Sequence, residues 1–301
     1  MSKTLLIDGN SVGYAAHYAT KLTSGDLETQ AIFGFIKTLR QLRLDYPGHA
    51  PFVLWDGRAD WRFEALPEYK SNRTADAKKI EVRDAYAAQR PFIAEMLEVL
   101  GVRQLIVTTH EADDMAGFYV ESITSKSAEN EIVLITGDKD WIQLVRPGVT
   151  WCDLRDDSRR VDHKNLMDKT GYATPFAFLQ GKCLQGDTSD CISGVGGIGE
   201  KGAPEFLAEF GSVRAFWAQC DAGKFVPKKK AHINLNAPEG RAIFTRNFRL
   251  MQLLKVPAPK REDVRINAGG FDADKFESLC ESLSFVSILR DVNAFLAPFK
   301  E

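Results

Sequence analysis

The stretch EIVLITGDKDWIQLV, residues 131–145, decides how this chain is read. Ile132, Val133, Leu134 and Ile135 form a short aliphatic run of the kind that becomes a buried central strand. Gly137 breaks it, and Asp138 and Asp140 follow where the chain leaves the sheet. One polar strand end is ordinary, but the pattern recurs. TLLID ends at Asp8, PFVLWD ends at Asp56, and RQLIVTTHEADD reaches Glu111, Asp113 and Asp114 soon after its apolar run. A fifth segment, VTWCDL, carries Asp153 and enters RDDSRR, which reads as a turn. Helix-period stretches at 29–44, 85–100 and 112–123 separate these segments. Strand alternating with helix predicts an α/β fold, a mostly parallel sheet with helices on both faces. Such sheets bind ligands outside the carboxyl ends of their strands. The acids therefore read as a set gathered on one edge.

After about residue 170 the pattern turns helical, through PFAFLQGKCLQGD, GEKGAPEFLAEFG and EGRAIFTRNFRLMQLL. The domain expectation is an α/β unit over 1–170 and a helical region over 171–301, tightly packed, with the C-terminal FVSILRDVNAFLAPF as a packing helix. Of 301 residues, 44% are hydrophobic and 27% charged, an ordinary balance for a water-soluble globular chain. No stretch reaches the roughly 20 apolar residues of a membrane span. MSKTLLIDGN enters a strand directly, without the pattern of a signal peptide. Five scattered cysteines lack a CxxC pair, which argues against structural zinc and for a reducing, cytoplasmic setting.

Adding Asp187 and Asp190 from QGDTSDCISG makes nine acids: Asp8, Asp56, Glu111, Asp113, Asp114, Asp138, Asp140, Asp187 and Asp190. Carboxylates packed this densely raise one another's pKa unless cations compensate them. An all-oxygen set favours Mg²⁺ or Mn²⁺ over zinc. One Mg²⁺ takes only one or two carboxylates, so the set implies two metals or more, as in in-line attack on phosphodiesters. Removing these nine charges from the net charge of −2 leaves +7, which suits a phosphate-rich partner. Singly, each acid is also readable as a loop residue or helix cap.

LLIDGNS, VLWDGRADWRFEALPEYKSNR, EADDMAG, ITGDKDWIQL and GDTSDCISGVGGIGEKGA, in this order over residues 4–212, resemble the flap endonuclease and 5′-3′ exonuclease family of structure-specific nucleases. The likeness is to free-standing phage enzymes and to the 5′-nuclease domain of bacterial DNA polymerase I. It implies that Asp8, Asp56, Glu111 and Asp113 hold a first metal. Asp114, Asp138, Asp140, Asp187 and Asp190 would serve a second, directly or through water. It further implies a helical arch at about 57–92, with Lys70 and Arg73 matching its basic motif and Lys70 stabilising charge on the scissile phosphate. The implied activity is metal-dependent 5′-3′ exonuclease and flap-endonuclease hydrolysis of DNA to 5′-phosphates. Substrates would be 5′ ends, flaps, branched junctions and, in primer removal, RNA–DNA hybrids. The expected protein is a monomer, phage-encoded or bacterial, at the nucleoid during replication.

GVGGIG, residues 194–199, fits a dinucleotide fingerprint, but no strand precedes it. Gly194, Gly196, Gly197 and Gly199 before a helix instead offer backbone amides to a phosphate. The resemblance names a helix–three-turn–helix at about 175–211, with K⁺ on its loop carbonyls and Lys201 as a further phosphate contact. Lys79, Arg83 and Arg90 share one face of a helix, readable as a DNA-facing stripe or a solvated one. Tyr69 reads equally as a base-stacking ring and as a buried tyrosine. Lys228, Lys229 and Lys230 read equally as a duplex contact and as a solvated loop. Two rival functions are a non-catalytic module for branched DNA and a Mg²⁺-dependent phosphohydrolase of small molecules. Neither the basic stretch nor the glycine turn has a use in the latter.

Overall fold

The computed structural model describes residues 2–74, 77–127, 129–156 and 158–300; the side chains of Thr74 and Lys79 also lie outside the described set. The strands in chain order are β1 (Lys3–Asp8), a ribbon of β2 (Thr23–Ser24) and β3 (Leu27–Glu28), then β4 (Ala50–Trp55), β5 (Arg103–Val107), β6 (Glu131–Ile135), β7 (Val149–Cys152) and β8 (Arg160–Val161). A second ribbon pairs β9 (Gly186–Asp187) with β10 (Ile192–Ser193), and β11 (Val264–Asn267) comes last. The main sheet runs β11-β5-β4-β1-β6-β7-β8. Its five inner strands are parallel, and the edge strands β8 and β11 are antiparallel. After β5 the chain crosses to the other side of β1, so the strand order reverses beside Asp8. Ligand crevices of open α/β sheets form at this switch point.

The helices are α1 (Gly9–Ala19), α2 (Gln30–Asp45), α3 (Asp60–Ala65), α4 (Ala77–Val99), α5 (Ala112–Thr124), α6 (Leu166–Thr170), α7 (Pro175–Gln185), α8 (Gly202–Phe210), α9 (Val213–Asp221), α10 (Lys230–Asn236), α11 (Pro238–Met251), α12 (Ala273–Ser282), α13 (Val286–Leu289) and α14 (Val292–Leu296). Strand side chains alternate between faces, which divides the core in two. Leu5, Ile7, Val53 and Val133 pack with Phe35, Ile36, Met96 and Leu97 of α2 and α4. Leu6, Leu54 and Leu134 point the other way, to Met115 and Ala116 of α5 and on to α7, α8 and α11.

Two boundaries differ from the sequence expectation. The helical region does not run to the end of the chain: β11 joins the sheet beside β5, and Phe276, Cys280, Phe285 and Leu296 of the last helices complete the α2–α4 core. Arg40 and Arg43 of α2 tie this segment down through the carbonyls of Phe295 and Pro298. The stretch expected as an arch, 57–92, is also too long. From Tyr86 onward α4 is core, with Gln89 accepting the Ala31 N–H at the start of α2. Only the first turns of α4 stand at the rim of the site.

Candidate metal centre

Asp8 ends β1 and caps α1, accepting the Ser11 N–H at 2.9 Å and the Thr136 hydroxyl at 2.8 Å. Asp56 follows β4, held by Asn10 Nδ2 at 2.7 Å and the Ala112 N–H at 2.8 Å. Asp113 stands on the first turn of α5 and accepts the Trp141 indole N–H at 2.6 Å. After β6, Asp138 accepts the Asp140 N–H at 2.8 Å, and its own N–H reaches Thr136. Asp187 and Asp190 arrive on the β9–β10 ribbon. These seven aspartates line one basin of about 580 Å³ with Lys70, Arg73 and Arg83.

The basin is electrostatically unfinished. Burial and the neighbouring Asp56 push Asp8 up to about 6. Asp138 is pushed up to about 7 by enclosure at the basin floor and by Asp140. Burial and repulsion from Asp138, Asp56 and Asp8 hold Asp113 well above the usual carboxylate range. Asp140 is also raised by burial, even though Lys182 opposes the rise. An all-carboxylate set that resists full ionisation fits hard divalent cations, which would remove the repulsion. Among the described residues, no three acidic, histidine or cysteine groups converge closely enough to hold an ion as they stand. Several of the acids carry internal counter-charge. Lys182 Nζ bridges Asp140 at 3.0 Å and Asp187 at 3.1 Å. Lys70 Nζ lies 2.5 Å from Glu111, and Arg73 lies 2.9 Å from Asp190.

Three expected roles are corrected by this geometry. Asp114 faces the core, not the basin. It is fully buried, and Arg62 grips both its oxygens at 2.8 and 2.6 Å while Asp114 also accepts the Glu111 N–H. Asp113, one residue earlier and so about 100° round the helix, takes the basin side. Tyr69 is buried, its hydroxyl donating to Glu111 and Asp190, so its ring is not free to stack on a base. Arg90 leaves the proposed stripe and lies over the Trp55 ring at 5.0 Å. Glu111 sits beneath Lys70: burial would raise its pKa, but Lys70 and Arg62 carry it below the usual range. Lys79 is a position whose side chain lies outside the described set.

Lys70 is held at φ +56°, left-handed for a non-glycine residue, within a turn stapled to the β9–β10 loop. The Lys70 N–H donates to the Asp190 carbonyl at 3.1 Å, and Asn72 donates to the carbonyls of Thr188 and Ser189. Asn10, Thr136, Arg62 and Lys182 were not singled out from the sequence, although they orient or neutralise the acids. Tyr14 and Tyr18, a turn apart on α1, also line the basin, and Tyr18 is 68% exposed. The spacing of Lys182, five residues before Asp187, was the one available signal.

The model of the family described as 5′-3′ exonuclease, N-terminal resolvase-like domain, matches residues 3–171. The chain belongs to that 5′-3′ exonuclease family. DNA polymerase I of Mycobacterium bovis is 32% identical over 95% of this chain, and that of Lactococcus lactis subsp. lactis is 32% identical over 78%. The chain spans about a third of the length of these relatives: 31% and 29%. Among solved structures, T5 5′-exonuclease with bound zinc ions has a TM-score of 0.71 at 22% identity, covering 99% of this chain and 96% of that one. The catalytic core of Rad2 in complex with DNA substrate has a TM-score of 0.59 at 16% identity, covering 99% and 92%. These two establish likeness of fold.

In this chain the glycine turn joins the β9–β10 ribbon to α8, which begins at Gly202 with Lys201 before it. Its glycines serve different ends. A Cβ on Gly194 would lie 2.2 Å from the Gln185 carbonyl oxygen, so close packing requires glycine there. Gly197 has φ +95°, while a Cβ on Gly199 would meet nothing within 4 Å. Helix α10 packs beside the turn, with Asn234 donating to the Gly196 carbonyl at 2.9 Å. Exposed Lys228, Lys229 and Lys230 thereby share a surface with the glycines.

Proposed function

We propose that this chain, a 5′-nuclease by family, hydrolyses DNA at 5′ ends, flaps and branched junctions and leaves 5′-phosphates. The observation that carries the reading is the single basin in which seven aspartates from four strand ends and the β9–β10 ribbon face a basic turn. Asp8, Asp56 and Asp113 would hold one Mg²⁺ or Mn²⁺; Asp138, Asp140, Asp187 and Asp190 would hold another. Bound there, divalent cations would activate water at neutral pH and stabilise the leaving oxygen. Lys70 and Arg73 would orient the scissile phosphate, and moving onto it would release Glu111 and Asp190. Arg83, with Lys79, would form the arch edge over the incoming single strand. The stretch from α7 to α8 is read as a helix–three-turn–helix. Its glycines, Lys201 and Lys228–Lys230 would grip duplex phosphates, with K⁺ on the loop carbonyls. RNA–DNA hybrids, as in primer removal, and a monomeric state belong to the same reading.

A second reading, a non-catalytic sensor of branched DNA, draws on the lysines that already neutralise part of the acid set. Both are tested with a 5′-flap duplex labelled at either end. Cleavage near the junction that requires Mg²⁺, stops in EDTA and is lost in Asp138→Ala supports the nuclease. Binding without cleavage by the folded protein in Mg²⁺ and Mn²⁺ selects the sensor.

A further inference from the structure

Lys182, whose ammonium bridges Asp140 and Asp187 on the basin wall, also lines a second cavity of about 460 Å³. Its lining is mixed: the edges of the buried rings Trp151, Tyr172 and Phe178 stand beside the polar Thr170, Gln185 and Arg159. Its walls carry Lys139 and Lys169. Lys169 Nζ donates only to the Ser158 carbonyl, at 3.1 Å, and among the described residues neither lysine has a carboxylate partner. Among the described residues, Glu200 is the one acid in the lining. The lining is joined to the metal loop, because Trp151 donates its indole N–H to the Asp138 carbonyl at 2.8 Å.

Ring edges beside ammonium groups that lack a carboxylate partner among the described residues suit a ligand that is a flat ring at one end and an anion at the other. The volume falls within the range of small-ligand pockets, roughly 300–1,000 Å³, and is far too small for a duplex. We propose that this cavity is a subsite for one phosphorylated nucleotide, with the base against the ring edges and the phosphate on Lys139 and Lys169. The nucleotide is either a released nucleoside 5′-monophosphate or the phosphorylated end of a strand. The inference rests on the nuclease reading for the origin of that nucleotide, though not for the binding itself.

The test is calorimetric titration of the full chain with thymidine 5′-monophosphate in EDTA, where the metal-free basin repels anions. Saturable binding is expected, with thymidine alone and inorganic phosphate each weaker. Lys169→Glu, an exposed position whose variant should fold, weakens thymidine 5′-monophosphate on the order of tenfold, the scale of one charge-assisted contact. Lys164→Glu, exposed and outside the cavity, leaves it unchanged. Equal affinity in both variants, or an equal loss in both, overturns the subsite. The same variants titrated with a 5′-flap oligonucleotide, with and without its terminal phosphate, identify the source. Given the thymidine 5′-monophosphate loss in Lys169→Glu, a matching loss on the phosphorylated flap alone assigns the strand end, and unchanged flap affinity assigns the free product. Flap cleavage in Mg²⁺ is read from the same preparation. Cleavage without nucleotide binding sinks only the subsite; binding without cleavage sinks only the nuclease.

Discussion

Asp114→Asn tests whether an acid of the EADD motif holds the fold or a metal. The carboxylate is fully buried and takes two hydrogen bonds from Arg62, whose own side chain is 3% exposed and also holds the Leu250 carbonyl. Solvent screening is therefore absent, and neutralising Asp114 strands a guanidinium in the interior. Removing one partner from such a pair costs about 3–5 kcal/mol. Glu111, 3.4 Å from Arg62, remains as partial compensation. A loss of about 3 kcal/mol is therefore expected in urea unfolding, a fall in Tm of roughly 5 °C for a chain of this size. Mg²⁺ affinity of the folded variant, measured by calorimetry, should not change. Asp113→Asn should do the reverse, sparing stability and losing Mg²⁺ binding. The paired change Arg62→Met with Asp114→Leu should recover most of the stability, since a packed apolar pair substitutes for a buried ion pair. Wild-type stability with lost Mg²⁺ binding in Asp114→Asn would refute the assignment.

Asp153, buried between Arg155 at 2.8 Å and Arg159 at 2.7 Å, has its pKa lowered: burial opposes the shift and the two guanidinium groups outweigh it. The stability it adds is present above the unfolded carboxylate pKa of about 4 and is lost as pH falls through the lower folded value. Asp153→Asn should thus be less stable at neutral pH, by on the order of 1 kcal/mol given the exposed arginines, with the gap closing in acid melts. Gly194→Ala should lower stability by about 2 kcal/mol or more through its clash with the Gln185 carbonyl. Gly199→Ala should leave melting unchanged and weaken duplex binding in a salt titration; equal effects of the two would dissolve the distinction. Tyr18→Ala should weaken flap binding by about 1–3 kcal/mol if a base stacks on the ring, and unchanged affinity would remove it from the site.

The inner strands were legible because they are short apolar runs, each with an acid at or soon after its end. Register then places those ends together: Ile7 pairs with both Val53 and Ile135. β11 was not legible. VRIN is short, charged and partly exposed, and nothing local reveals pairing with a strand far back in the chain. Asp114 was misassigned because adjacent aspartates look alike in sequence while α5 turns them about 100° apart, one to the core and one to the basin. Its spacing from Glu111, three residues on at a helix start, is the pattern of a capping pair. Tyr69 and Arg90 were read from a motif and a helical stripe, but the neighbouring Glu111 and Trp55 decide where they point. Lys182 and Thr136 gain their meaning only from acids brought to them by other elements.

The helices from α7 to α11 leave the sheet after β8 and return to it at β11, which are its two opposite edges. This helical segment is thus slung across the sheet like the handle of a basket, joined to it at both rims. A handle attached at one rim could swing and change its distance from the basin; one attached at both cannot do so without tearing an edge strand. If these helices hold duplex as proposed, the width of the sheet would set the number of base pairs between grip and cut. Lengthening the connection before β11 should blur the cut position while leaving every acid in place.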